Sequence, residues 1–587
     1  MMFHVLQHLV MPNLTFGAPE EMYARVSNEN ARLLLNDHKV NFREGGKLSF
    51  DTFFNSMTVG TWRKHCTLDD LHLVLSGSGK FVLRFGMHRV GHAHRWLDEQ
   101  IIELREGQEV SNELTFWSKL DGGMLYFSLE ALGEASLSGG YLATTTTPVH
   151  DVKLGIVITH FNRKQYVLPA IKRIREELLN DPLYKGKIEL VVVDNSKNIT
   201  SEEAKGITLL PNKNLGGSGG FTRGLLYLKD EGSFTHCLFM DDDASCEVES
   251  IKRAYSMLQH AKTPKFAFAG SLMRELEPYR LFEKGATFIG VCSGLKTGMD
   301  MRHVQDILYA ELIDNKPNYG AWWFFAFSIK DVKSYAFPFF VRGDDILFGI
   351  SNGFDIATLN GVGCWGEDFG LKSGPMPRYL DVRNHIVQRF VNFDMSRLST
   401  LKLISQFFLT PLFSYDYSSA KAARLALIHA SMGPSFWVDN IDMGRIRALI
   451  GAFAGSEKLA PVDRAKLNVQ YSSPHETKFR FFFRTITLNG FLLPTFMLKD
   501  GVVFQHKRFR ATFREIFRYK KVLYEYEPMG VGYVAEHDKI KFFSELMSFS
   551  WQLLKFAVRF NTLKLEYQAA LLEMTSESFW RKVYADD

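Results

Sequence analysis

Three short, almost unbroken apolar runs constrain this chain more than any other feature: LGIVITHF from residue 154, ELVVVDN from residue 189 and HCLFMDDD from residue 236. A strand buried on both faces reads as continuous Val, Ile and Leu, and such strands belong to parallel sheets covered by helices. Between the first two runs, Tyr166, Leu168, Ile171, Ile174 and Leu178 recur at helical spacing, giving a strand-helix-strand succession. Ligands of such sheets gather beyond the carboxyl ends of the strands. Asn162, Arg163, Asp194, Asn195 and the run Asp241, Asp242, Asp243 all stand at those ends. An α/β catalytic domain over residues 151–390, with a mixed but mainly parallel sheet, is the expectation.

The flanks read differently. LHLVL, KFVLRF, ELTFW and GMLYFSLEAL, between residues 71 and 132, are short alternating segments separated by Gly, Ser and Asp, which predicts a β-sandwich over residues 1–150. That unit carries no cluster of His, Asp and Glu that would make it a second enzyme. It reads as a structural or carbohydrate-facing module. Beyond residue 390 apolar residues recur at three and four spacing, which predicts a helical region over 391–587. Within it, residues 478–524 hold eleven Lys or Arg, among them Lys507, Arg508, Arg510 and Arg514, against two acidic residues, interleaved with Phe. This is either the solvated face of an internal helix or a basic amphipathic segment on an anionic membrane.

A net charge of +5 over 587 residues is too mild to imply a nucleic-acid partner. Five widely spaced cysteines fit a reducing compartment rather than a disulfide framework or a zinc site. The N-terminus lacks the basic start, apolar core and cleavage site of a signal peptide, and no apolar run reaches the roughly 18 residues of a spanning helix. A cytoplasmic protein, peripheral on the inner face of the cell membrane, is expected.

Adjacent carboxylates at a buried strand end repel one another unless a cation compensates. If strand geometry persists, Asp241 and Asp243 point the same way and can share one Mg²⁺ or Mn²⁺, with Asp242 facing the other side. A solvated turn or helix N-cap is the bland alternative. In NKNLGGSGGFTR, from residue 212, Gly216 and Gly217 let the backbone approach a ligand and open a helix whose N-terminus favours anions, although a flexible turn reads equally well. Asp345 is chosen as a general base, with Asp344 beside it as the other candidate; an N-cap for the following ILF is the competing reading. Trp322 and Trp323 either stack on sugar faces or fill a core.

GIVITHFNR, VVVDN, NLGGSGGFTRG, FMDDD, WW and the DD after FFVR stand in an order that resembles glycosyltransferase family 2, and within it the galactofuranosyltransferases that polymerise mycobacterial galactan. SFDTFFNSMTVGTWRKH and SGGYLATTTTPVHDVK extend the resemblance upstream. It implies a GT-A-type fold, UDP-galactofuranose as donor, Mn²⁺ or Mg²⁺ as cofactor, and oligomers. Residue by residue it implies that Arg163, Asp194 and Asn214 hold the UDP part, with Gly216, Gly217 and Asp242 in the donor site. It further implies that Asp241 and Asp243 bind metal, that Asp345 is the base, and that Trp322 and Trp323 shape the acceptor site. Two positions depart: Gly366 stands where the family has a metal-ligating His, and Asp381 where it has a further His.

The expected function is therefore inverting transfer of a hexose, galactofuranose first, from a UDP donor to a lipid-linked surface glycan. UDP-galactopyranose is the rival donor. A glycan-binding protein with a decayed transferase domain is the rival of another class.

Overall fold

The computed structural model describes residues 2–312, 316–393, 395–472, 475–508 and 513–585. Its centre is a seven-stranded sheet. Strands β1 (Leu154–His160), β2 (Ile188–Asp194), β3 (Thr208–Pro211) and β4 (His236–Asp241) run parallel. With β5 (Phe266–Ala269), β6 (Phe325–Ser328) and β7 (Asp355–Ala357) they give the order β3-β2-β1-β4-β6-β5-β7, in which β6 is antiparallel to both neighbours. The register sets His160 beside Asp194 and Thr159 beside Asp241, so the acidic strand ends lie at one level.

Helix α1 (Lys164–Ile174) follows β1, and α2 (Gly216–Glu231) leads into β4. α2 lies close on β1. A Cβ on Gly220 would fall 2.3 Å from Thr159 Cγ2, and one on Gly224 2.3 Å from Val157 Cγ1. The two glycines are one helical turn apart, and Thr159 and Val157 share one face of the strand. This is helix-to-sheet packing that any side chain would obstruct.

The first 144 residues form the expected β-sandwich. The long strand His72–His88 serves both of its sheets: the first half pairs with Ala135–Thr144 and Glu109–Glu113, the second with Met124–Ala131 and Arg95–Leu104. Leu73, Leu75, Phe81, Leu83 and Phe85 alternate into its core.

α3 (Asp344–Asn352) lies between β6 and β7, and after β7 come a short strand β8 (Gly363–Gly366) and α4 (Pro375–Val391). The C-terminal region is largely helical, including α5 (Lys478–Ile486), α6 (Lys539–Met574) and α7 (Glu577–Ala585). It also contains a five-stranded sheet built from Ala460–Pro461, Val469–Gln470, Lys499–His506, Tyr519–Tyr526 and Val531–Glu536. Residues 478–524 are thus not one amphipathic stretch, because two of their segments pair as strands. Lys507 is buried and donates to Ser373 O at 3.0 Å, and Arg510 lies outside the described residues. α7 returns to α2, where Tyr584 Oη donates to Gly219 O at 2.6 Å. All five cysteines are free thiols. Among the described residues no helix is long and apolar enough to cross a membrane.

Candidate active site

β4 delivers Asp241 at its last position, and the chain then turns. Asp242 faces β1: its Oδ2 lies 3.3 Å from His160 Nδ1 and accepts weakly from Phe161 N. Burial disfavours the imidazolium, but hydrogen bonds to Asp242 and Asn198 outweigh it and raise the His160 pKa. Asp243 is buried and faces two cations, Arg163 and Lys372, the latter at 2.7 Å. Burial would raise the Asp243 pKa, yet Lys372 and Arg163 hold it below the usual carboxylate range. Among the described residues no cation is placed at contact distance from Asp241; burial pushes its carboxyl up to about 7, with the charge of Asp243 adding.

Asp194 is buried, and its oxygens accept from Ser196 N, Asn198 N and Ile199 N at 2.8–2.9 Å. It shapes the turn after β2. Asn214 Oδ1 accepts from Gly216 N at 3.1 Å. Gly216 has φ +68 and a Cβ there would fall 2.1 Å from Phe340 O; a Cβ on Gly217 would lie 3.3 Å from Asp344 Oδ2. The glycine-rich start of α2 therefore closes on the loop before α3 as well as facing the strand ends, so much of its glycine content is explained by backbone packing.

That loop is strained. Phe340 and Arg342 have φ of 76 and 69, and Gly343 of 86, conformations that cost bulky residues free energy and persist only when their surroundings impose them. α4 imposes them: Arg383 donates to Phe339 O, Asn384 to Val341 O and Arg342 O, and Gln388 to Gly343 O. The result fixes the first turn of α3. Asp344 accepts from Ser218 Oγ at 2.9 Å, while Asp345 Oδ1 accepts from Ile346 N. Burial raises both carboxyls, Asp344 to about 6 and Asp345 to about 8, and in Asp345 the charges of Asp344 and Asp241 add to it. Glu283, buried nearby, is likewise pushed up to about 8 by burial and by Asp345.

Trp322 does not reach this space. Its ring is 4% exposed, packed against Phe221, Phe239 and Phe348, because it sits on the core side just before β6. Trp323, the next residue, turns the opposite way; its Nε1 donates to Gly270 O and its ring meets Phe369 edge-on at 6.4 Å. The core reading therefore holds for Trp322 against the sugar-stacking expectation, and Trp323 is the half-buried member of the pair. Sequence reasoning also missed Lys372, Gln388 and Glu283, none of which lies in a recognisable motif. Arg383, a conceivable partner for diphosphate, is 1% exposed and stacked 3.9 Å over Trp437.

Asp241 and Asp243 offer the hard oxygens that Mg²⁺ and Mn²⁺ take. Among the described residues no group of three His, Cys, Asp or Glu is placed to hold a metal ion. Gly366, paired with Arg274 between β8 and Ser271–Arg274, contributes none. Glu367 lies 3.7 Å from both Arg163 and Lys372, whereas Asp368 caps Gly370 N and lies 3.8 Å from Arg274. The pair fits a cation that keeps water and phosphate oxygens in its remaining positions, not a closed protein cage.

Residues 155–277 match the profile of Glycosyl transferase family 2, and residues 6–144 that of Galactofuranosyltransferase 2 N-terminal. The chain is similar to Galactofuranosyltransferase GlfT2 of Mycobacterium tuberculosis, 23% identical over 470 residues covering 73% of this chain and 72% of that one. It is similar over nearly its whole length, 99% against 96%, to the protein of the same name from Mycolicibacterium smegmatis, at 22% identity. Among solved structures, the mannosyltransferase PcManGT from Pyrobaculum calidifontis in complex with GDP-Man and Mn²⁺ aligns over 53% of this chain and 85% of its own, at 15% identity and a TM-score of 0.29. The sheet and its flanking helices make an α/β fold of the GT-A type, preceded by a β-sandwich.

Proposed function

From a chain that carries a glycosyl transferase family 2 domain, we propose an inverting hexosyltransferase that moves galactofuranose from a UDP donor to a growing lipid-linked glycan. The observation that carries the reading is the convergence of two acidic groups on one end of the sheet. Asp241 and Asp243 come from the end of β4 and the turn after it, and Asp344 and Asp345 from the start of α3, close enough that Asp344 raises the proton affinity of Asp241 and Asp241 that of Asp345. The two GlfT2 relatives support galactofuranose as the sugar.

Asp345 takes the proton from the acceptor hydroxyl as its oxygen bonds to the anomeric carbon; the bond from that carbon to the diphosphate breaks, and UDP leaves with the electron pair. A divalent cation held by Asp241 and Asp243 would neutralise charge on the departing UDP. Arg163 and Lys372 supply fixed positive charge at the same place. Asn214 and the backbone at Gly216 and Gly217 hold the α2 start that faces the donor, Asp194 and Asp242 brace the turns around it, and Trp323 borders the acceptor. The membrane contact is assigned to α5, where Phe479, Phe481, Phe482 and Ile486 are exposed beside Lys478 and Arg480.

Product analysis with a panel of UDP-hexoses and lipid-linked galactan primers tests the reading. Chain extension from UDP-galactofuranose and none from UDP-galactopyranose is the expected outcome. No UDP release from any donor with any acceptor would leave the glycan-binding alternative.

A further inference from the structure

Lys372 stands on the segment 367–374 that joins β8 to α4, and its Nζ lies 2.7 Å from Asp243 Oδ2. Arg163 donates to that same oxygen. Two cations drawn to one oxygen repel each other, and Glu367, 3.7 Å from both, is too far to hydrogen-bond either. One cation at contact distance is enough to keep a carboxylate ionised. The second calls for another reason.

The Lys372 side chain is 30% exposed, beside an Asp243 side chain that is 9% exposed. An ammonium carries three donors and no acceptor, and among the described residues Asp243 is the one acceptor within hydrogen-bond reach of Nζ. Two donors are left for a ligand at the end of β4. The backbone that presents them is held on both sides. Lys507 Nζ donates to Ser373 O at 3.0 Å and to Ser373 Oγ at 2.5 Å, Ser373 Oγ donates to Gly370 O at 2.9 Å, and Asp368 Oδ1 accepts from Gly370 N at 2.6 Å. A cation placed in advance binds an anion at a smaller entropic cost.

The metal side of the site leads to the same residue. Both cations take Oδ2, so Asp243 Oδ1 and the Asp241 carboxyl remain as metal ligands. Two protein ligands hold Mg²⁺ or Mn²⁺ loosely, and among the described residues no third is placed beside them. The positive charge that stands there without any metal comes from Lys372 and Arg163. Lysine binds phosphate as a point charge and arginine through its planar fork, so the pair suits the two phosphates of a nucleoside diphosphate.

We propose that Lys372 binds the diphosphate of the donor directly, bridging it to Asp243, so that this chain binds UDP with no metal present and Asp241 and Asp243 then complete the shell of a cation on the nucleotide already bound. The inference rests on the reading of the chain as a UDP-sugar transferase. Calorimetry of the full chain with UDP and UMP, each in excess EDTA and in Mn²⁺, tests it, with uridine contact followed by ligand-observed NMR. The wild type is expected to bind UDP in EDTA. Lys372→Met is expected to lose about 10- to 100-fold of that affinity, less for UMP, and none of the uridine contact, because uridine has no phosphate. Its affinity for UDP in Mn²⁺ falls less, since the cation replaces part of the lost charge. Lys372→Arg keeps the charge and should recover most of the metal-free affinity, which separates lost charge from a damaged fold. A wild type that binds UDP in Mn²⁺ and not in EDTA would overturn the proposal. So would a Lys372→Met variant that binds UDP in EDTA as the wild type does, or one that loses uridine and UDP alike. Failure of the wild type to bind UDP or uridine in either condition would remove the transferase reading, and this inference with it.

Discussion

At the scale of single residues, the proposed chemistry rests on carboxylates whose proton affinities are raised mainly by burial. A base must be ionised to act, and Asp345, raised to about 8, is protonated below that pH and ionised above it. The transfer rate is therefore expected to climb between about pH 6 and 9, with the acidic limb well above the ordinary carboxylate range. Asp344→Asn removes an opposing charge and should move that limb to lower pH. Asp345→Asn should lower the rate by about 10² to 10⁴ and leave UDP affinity by calorimetry within a few-fold; near-normal turnover would transfer the role to another group. Asp243 follows the opposite logic, since Lys372 and Arg163 keep it ionised. Because Glu367 leans toward those cations and Asp368 toward Arg274, Glu367→Gln should weaken binding of Mn²⁺ in the presence of UDP, and Asp368→Asn should not. Equal losses in both, read by calorimetry, would contradict the placement.

At the scale of elements, the close seat of α2 on β1 depends on absent side chains. Gly220→Ala or Gly224→Ala places a methyl 2.3 Å from a β1 side chain, and overpacking of that kind costs about 1–3 kcal/mol. Thermal unfolding should move down by several degrees, while the folded fraction keeps its affinity for UDP; an unchanged melting temperature would mean that β1 yields freely. α5 presents the opposite case, aromatic side chains left largely exposed, Phe479 and Phe482 among them. Charging it with Phe479→Glu and Phe482→Glu should abolish co-sedimentation with anionic vesicles and leave activity on a short water-soluble acceptor. Arg484 is a poor target for the same experiment, since it is buried and paired with Glu476 at 2.6 Å.

At the scale of the whole molecule, the C-terminal sheet is tied to the loop that carries Lys372. Lys507, next to Lys499–His506, donates to Ser373, one residue from Lys372, and its charge bears on the buried Asp416 and Glu457. Lys507→Met strands those carboxyls and frees the loop. A loss of about 2–3 kcal/mol is expected from denaturant unfolding, together with weaker UDP binding; full stability with normal binding would show that the two regions are independent. The sequence by itself determined the strand-helix-strand core and the acidic strand ends, because a doubly buried strand needs an unbroken apolar run and that run is written in consecutive residues. It also carried the β-sandwich, through period-two alternation. Only the tertiary structure decided which of Trp322 and Trp323 fills the core, because adjacent aromatic residues look alike until one is packed on Phe239. The same holds for Lys372, which reaches Asp243 across 129 positions of chain, and for the sheet hidden in residues 460–536. Short strands and basic, Phe-rich helices share one composition, and pairing between distant segments, which no local pattern records, separates them.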